Sequence, residues 1–114
     1  MNPFFLSSDA TWTDVGGGLS RSILGHTPQL MAVAVKFKKG AVGTPHDHDI
    51  HHQISYVEAG SFEAVVNGQK KILSKGDAFI APARALHGAT SLEEDSILID
   101  MFSPRRDDFL TARD

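Results

Sequence analysis

Apolar and polar residues along this chain alternate with a period of two far more often than they recur three or four apart. Segment 30–37, LMAVAVKF, is rich in β-branched and small apolar residues and ends at a Lys-Lys-Gly turn. Segment 53–60, QISYVEAG, alternates and stops at Gly60. Segment 61–73, SFEAVVNGQKKIL, carries Asn67-Gly68 between two apolar runs. That dipeptide predicts a hairpin, because a two-residue turn needs positive φ at both central positions. DAFIAP (77–82) lies between Gly76 and its own closing Pro82, and SILIDMF (96–102) is closed by Pro104. Short strands at close spacing with glycine and proline punctuation predict a β-sandwich or barrel. The one helical expectation is a short turn after Pro104, within RRDDFLTA. Gly16-Gly17-Gly18 lacks the flanking strand, helix and spacing of a phosphate-binding loop, so it reads as a turn between two early strands.

Length and composition narrow the picture. The 114 residues, 41% of them apolar, suffice for one core and leave no room for a second domain. A net charge of -3 argues against nucleic-acid binding, which needs a basic surface. It leaves an anionic small ligand open, since a local metal and one arginine outweigh a mildly acidic surface. The chain has no cysteine, which excludes disulfides and thiolate metal sites. The N-terminus lacks the basic region of a secretory signal. No apolar run approaches the roughly 18 residues of a membrane span. A soluble cytoplasmic protein without a membrane partner is expected.

Four of the six histidines fall between His46 and His52, in TPHDHDIHHQ. On a strand, His46 and His48 would point to the same side, because side chains alternate with a period of two. Two adjacent imidazoles make half of a metal site, and His87 could complete it from a neighbouring strand. For an isolated H-x-H pair, a solvated polar loop is the competing reading.

The surrounding spacing resembles the cupin family. The first cupin motif, G-x5-H-x-H-x3-4-E-x6-G, is matched by Gly40, His46, His48, Gln53 and Gly60. Every interval fits, and only the motif's glutamate is replaced, by Gln53. The second motif, G-x5-P-x-G-x2-H-x3-N, is matched by Gly76, Pro82 and His87, with Arg84 and Ser91 in place of glycine and asparagine. The resemblance implies an all-β, single-domain double-stranded β-barrel (jelly roll) over 1–114, its metal-binding core about 30–103, with a short C-terminal helical turn. It also implies a divalent metal on His46, His48, Gln53 and His87. Gln53 as a neutral ligand keeps the metal's full positive charge, which suits an anionic ligand better than a redox site. The alternative is a three-histidine site with Gln53 as a bystander. His51 and His52 fall in the turn before Gln53 and read as loop or supporting residues.

The last strand carries a second signal. Asp100 shares a face with Leu98 and Phe102, opposite Ile97, Ile99 and Met101. A charge inside an apolar strand is costly unless paired or functional, the other reading being a sheet-edge aspartate reaching solvent. Arg106, just past Pro104, is placed to turn back towards the barrel mouth and hold a carboxylate with a forked pair of hydrogen bonds. The competing readings are a surface arginine in a charged run, or Arg105 in its stead.

This tail, Asp-x-Phe-Ser-Pro-x-Arg-x-Asp-Phe, together with H-x-H, Gln53 and the late His87, resembles the small pectin-degradation cupins. The likeness runs along nearly the whole chain, including VGGGLSRSIL, LMAVAVKFKKGA and QISYVEAGSFE. Those proteins linearise 4,5-unsaturated uronate monosaccharides from pectin and alginate. The resemblance implies Asp100 as acid/base, and Phe102 and Arg106 as substrate-binding residues. It further implies a small anionic sugar substrate, a homodimer, and one divalent transition metal ion per chain (zinc, nickel, iron, cobalt or manganese). Ring opening needs a proton shuttle and charge stabilisation but no redox step. A cupin dioxygenase and a non-catalytic sugar-binding or sensor cupin are the alternatives.

Overall fold

A computed structural model describes residues 2–111 of the chain. Among them, ten segments form strands: β1 (Thr13–Gly16), β2 (Leu19–Thr27), β3 (Leu30–Phe37), β4 (Val42–His46), β5 (His52–Ala59), β6 (Ser61–Val66), β7 (Gln69–Ser74), β8 (Ala78–Ala81), β9 (His87–Ser91) and β10 (Ser96–Ser103). A 3-10 turn, Ser7–Asp9, precedes them, and a helix, α1 (Asp107–Thr111), follows. The helix lies inside the segment expected to turn; that segment's last residue, Ala112, is outside the described residues. The period-two segments correspond to β3, β5, the β6–β7 hairpin, β8 and β10. Asn67 and Gly68 take φ of 48° and 81° in the hairpin turn, as the dipeptide leads one to expect. Gly16, Gly17 and Gly18, all at positive φ, join β1 to β2.

The strands form two antiparallel sheets. One has the order β1-β2-β3-β10-β5-β8, the other β4-β9-β6-β7. The first sheet therefore begins at Thr13, ahead of the barrel core expected from residue 30. Between the sheets lies a core built on Phe37, Val57, Phe62 and Leu98, with Phe37 edge-on to Phe62 at 4.9 Å. A second cluster, Met31, Val33 and Phe102, packs against Phe109 of α1. This contact docks the C-terminal segment beside the barrel. No helix among the described residues is long and apolar enough to cross a membrane.

Two registers place the polar residues of interest. Across β10 and β5, Asp100 stands opposite Ser55 and Phe102 opposite Gln53. Burial along β5 alternates so that Gln53, Ser55 and Val57 face inward. Leu98 and Phe102, which flank Asp100 on the same face of β10, are buried as well.

Candidate metal centre

Between the pairs Gly43↔Ala89 and His46↔His87, β4 has one residue more than β9. This bulge, at Thr44-Pro45, sets His46 directly across from His87; bulges commonly re-aim side chains in this way. Strand β4 ends at His46. His48 therefore stands in the following loop, and its shared direction with His46 does not come from strand alternation as expected. Its loop is tied down instead by Arg84, whose backbone N–H donates to the His48 carbonyl at 2.6 Å. Arg84 adopts φ of 73° at the position where the cupin motif has glycine, so the turn keeps its shape without the glycine. The imidazole of His48 lies 4.8 Å from that of His46 and 5.2 Å from that of His87, measured between ring centres. The ligand atoms that the three histidines offer all lie within 4.8 Å of one another.

The close approach of β4 and β9 depends on Gly88. A Cβ there would sit 2.7 Å from the Gly43 carbonyl oxygen and 3.0 Å from Pro45 backbone atoms, none of which can swing aside. Gly88→Ala is expected to destabilise the fold by about 1–3 kcal/mol, the usual cost of overpacking, and to weaken metal uptake by moving His46 off His87. Urea denaturation of the metal-free protein, read beside metal affinity, checks both effects. Unchanged values for both would mean that the strands yield freely here.

Backbone carbonyls fix two of the imidazoles. Nδ1 of His46 donates to Thr44 O and Nδ1 of His87 to Ala85 O, each at 2.9 Å. A carbonyl only accepts, so each Nδ1 carries the hydrogen and each Nε2 presents a lone pair. Burial holds the pKa of His87 below its ordinary value. Burial, with the charges of Arg106 and His46, pushes that of His48 down to about 4. At neutral pH both rings are neutral, the state a metal requires.

Gln53 completes the set. Its Nε2 donates to Ser55 Oγ at 2.9 Å, leaving Oε1 at 3.1 Å from His87 Nε2 and 3.2 Å from His48 Nε2. His87 Nε2 has no hydrogen, so two lone pairs face each other across 3.1 Å. That arrangement is repulsive unless a cation lies between them. Ligand atoms about 2.0–2.1 Å from one tetrahedral ion are roughly 3.3 Å apart, close to these separations. The three imidazole nitrogens, with the Gln53 oxygen beside two of them, are placed to fit a divalent transition metal. His51 and His52 are not part of the cluster. His51 Nε2 meets Arg105 O at 3.1 Å, and His52 Nδ1 accepts from Ala83 N at 3.1 Å.

The same wall continues to Asp100. Ser55 Oγ donates to Asp100 Oδ1 at 2.6 Å. Burial raises the Asp100 pKa to about 6, against the opposing pull of Ser55, His46, Gln53 and Arg106. The carboxyl is half-buried in the barrel and borders a cavity. That cavity, about 200 Å³, is lined by His46, Gln53, His87, Asp100, Phe102 and Arg106 among others.

Arg106 reaches this cavity and Arg105 does not. The Arg106 guanidinium stacks over Phe109 at 4.2 Å and over Phe102 at 5.2 Å, and is held by Asp108 through bonds of 2.9 and 2.8 Å. Arg105 turns away to Asp107, at 2.7 Å, and His26, at 3.3 Å. Phe102, 2% exposed, packs edge-on to His48 at 5.9 Å, bracing the histidines on one side and Arg106 on the other. Sequence reasoning missed Arg21. From β2 it lines the same cavity, its guanidinium 3.9 Å over Phe109, with no carboxylate in ion-pair reach among the described residues. Nothing in LSRSIL marks it, since only the folded barrel brings β2 to Phe109 and the cavity.

Comparison with known proteins agrees with this geometry. The cupin domain model matches residues 33–102. The pectin degradation protein KdgF of Dickeya dadantii is 53% identical over 110 residues, covering 96% of this chain and all of its own. The solved structure of KdgF from Halomonas sp. superposes with a TM-score of 0.93 at 55% identity, covering 96% of this chain and 99% of that one. An RmlC-like cupin from Shewanella frigidimarina gives a TM-score of 0.90 at 44% identity, with 96% of each chain covered. The jelly roll, the three converging histidines and this level of identity have one consequence: the chain belongs to the cupins, and among them to the family of the pectin degradation protein KdgF.

Proposed function

We propose that the protein is an enzyme that opens the ring of 4,5-unsaturated uronate monosaccharides, giving open-chain 4-deoxy-5-keto-uronates. The observation that carries this reading is the placement of the Asp100 carboxyl on the same cavity wall as His46, His87 and Gln53. The pectin degradation protein of Dickeya supports the substrate class. The metal is one divalent ion per chain, drawn from zinc, nickel, iron, cobalt and manganese, all of which such a donor set accepts.

In the reaction, Asp100 takes the proton from the anomeric hydroxyl. The C1–O5 bond breaks as C1 becomes a carbonyl, and the electron pair passes to O5, now an enolate oxygen on C5. Asp100 returns the proton to C4, which leaves a ketone at C5 and a methylene at C4. The carboxylic acid is regenerated as carboxylate, and no oxidant is consumed. His46, His48, Gln53 and His87 would hold a divalent ion, which when bound would supply Lewis-acid stabilisation of developing negative charge. Arg106 binds the substrate carboxylate through guanidinium N–H groups, and Phe102 fixes that guanidinium in place. The pKa near 6 leaves Asp100 ionised at neutral pH yet basic enough to accept a proton.

Incubation with an unsaturated uronate monosaccharide tests the reading. Ultraviolet absorbance of the C4=C5 bond should fall faster than in the uncatalysed reaction, equally fast with and without oxygen. A rate that requires oxygen would favour the dioxygenase alternative, and binding without acceleration would favour a sensor.

A further inference from the structure

Ser55 has no role in the scheme above, yet it is fully buried and lies between the metal donor set and the acid/base. Its hydroxyl has one hydrogen. At 2.6 Å from Asp100 Oδ1, that hydrogen goes to the carboxylate, which can only accept. The hydroxyl oxygen is then left as an acceptor towards Gln53. The amide end that faces it, at 2.9 Å, must therefore be the donating NH2. Oε1 is turned by necessity to His48 and His87. Were the amide to flip, Oε1 would meet an oxygen with no hydrogen to give, and the NH2 would occupy the space between the imidazole lone pairs.

We propose that Ser55 is a positioning residue that sets the polarity of the Gln53 amide, through the chain Asp100–Ser55–Gln53, so that oxygen rather than nitrogen faces the metal. The inference rests on the metal centre proposed above and on the distances that join Asp100, Ser55 and Gln53. It also gives a reason for glutamine where the cupin motif has glutamate. A glutamate carboxylate at that position would compete with Asp100 for the one Ser55 hydrogen, leaving one of two neighbouring carboxylates without its donor. The amide avoids this conflict because it brings its own hydrogen.

Cobalt(II) is a suitable probe, since its visible spectrum reports ligand number and type without any assay of turnover. Parent protein, Ser55→Ala, Ser55→Cys, Gln53→Ala, Gln53→Glu and the Ser55→Ala/Gln53→Glu double variant are titrated with cobalt. Losing a hydrogen-bond partner of a metal ligand typically costs about 10–100-fold in affinity. Ser55→Ala and Ser55→Cys should weaken cobalt binding by that factor, and their spectra should move towards that of Gln53→Ala. The Ser55→Cys variant fills the space, so a loss in both is not a packing defect. Gln53→Glu should be less costly with alanine at position 55 than with serine, because the contest for one hydrogen has gone. Parent-like spectra and affinities in both Ser55 variants, or strict additivity with Gln53→Glu, would overturn the proposal. A parent that shows no saturable cobalt spectrum removes the metal centre itself, and this proposal with it.

Discussion

Replacing His46 or His87 with alanine is expected to strip the protein of most of its divalent ion, and with it nearly all ring opening above the uncatalysed rate. The parent should carry about one ion per chain. The expectation is strong because all four donors are neutral: no carboxylate ligand remains to hold the ion by charge alone once an imidazole is gone. Each of these two imidazoles is also locked by its Nδ1–H bond to a backbone carbonyl, so either substitution removes a pre-oriented ligand. Loss of a supporting hydrogen bond typically costs about 10–100-fold in metal affinity, and loss of a ligand should exceed that range. Metal analysis of purified His46→Ala, His87→Ala and the His46→Ala/His48→Ala double variant measures this directly. Full occupancy in the double variant would refute the site. Chelator treatment of the parent should give the same inactive state, restored by adding back a divalent ion.

How much of this was legible beforehand depended on which physical signal each element carried. Strands β3 and β10 announce themselves by β-branched residues, and the β6–β7 turn by its Asn-Gly. Strands β4 and β9, VGTPH and HGATS, do not. They are composed of what the site needs: two histidines, the glycines that let the strands approach, and a proline at the bulge. Spacing revealed the histidines where periodicity could not. It could not show that His48 lies beyond the strand, because a bulge changes neither the sequence interval nor the composition.

Strand β5 shows the conflict most clearly. Hydrophobicity alone would turn Ile54 and Tyr56 inward, yet they are 43% and 36% exposed while Gln53 and Ser55 are buried. Local preference yields here to the site, the pattern expected where function overrides packing. Ile54 also stands beside exposed Ile80 of β8, its cross-strand partner. Asp100 was visible as a charge in an apolar strand. Its partner Ser55 was not, because nothing in the chain marks a serine 45 positions away as its cross-strand neighbour. Arg21 escaped for a similar reason: only the closed barrel brings it to Phe109 and the cavity.

Asp100→Asn is expected to lower turnover by about 10²–10⁴-fold, the usual contribution of a positioned acid/base, with substrate affinity little changed. Asparagine keeps the shape and still offers an oxygen to the Ser55 hydroxyl, but it cannot take and return a proton. Unfolding is not the expected cause of the loss. A carboxyl whose pKa is raised in the folded state holds its proton more tightly there than in the unfolded chain. The burial of its charge therefore costs stability as pH rises from the unfolded value of 3.8 to about 6. Above that window Asp100→Asn should be at least as stable as the parent, which a thermal melt would show. The parent's rate should climb with pH as Asp100 ionises, and that limb should be absent from the variant. Arg106→Ala separates binding from chemistry. Its guanidinium anchors a carboxylate, so its loss should raise KM first and lower kcat only as far as alignment suffers. Uncatalysed ring opening is subtracted throughout. Parent-like rates in both variants would make Asp100 and Arg106 structural, and the cavity would then have to do its chemistry through the donor set alone.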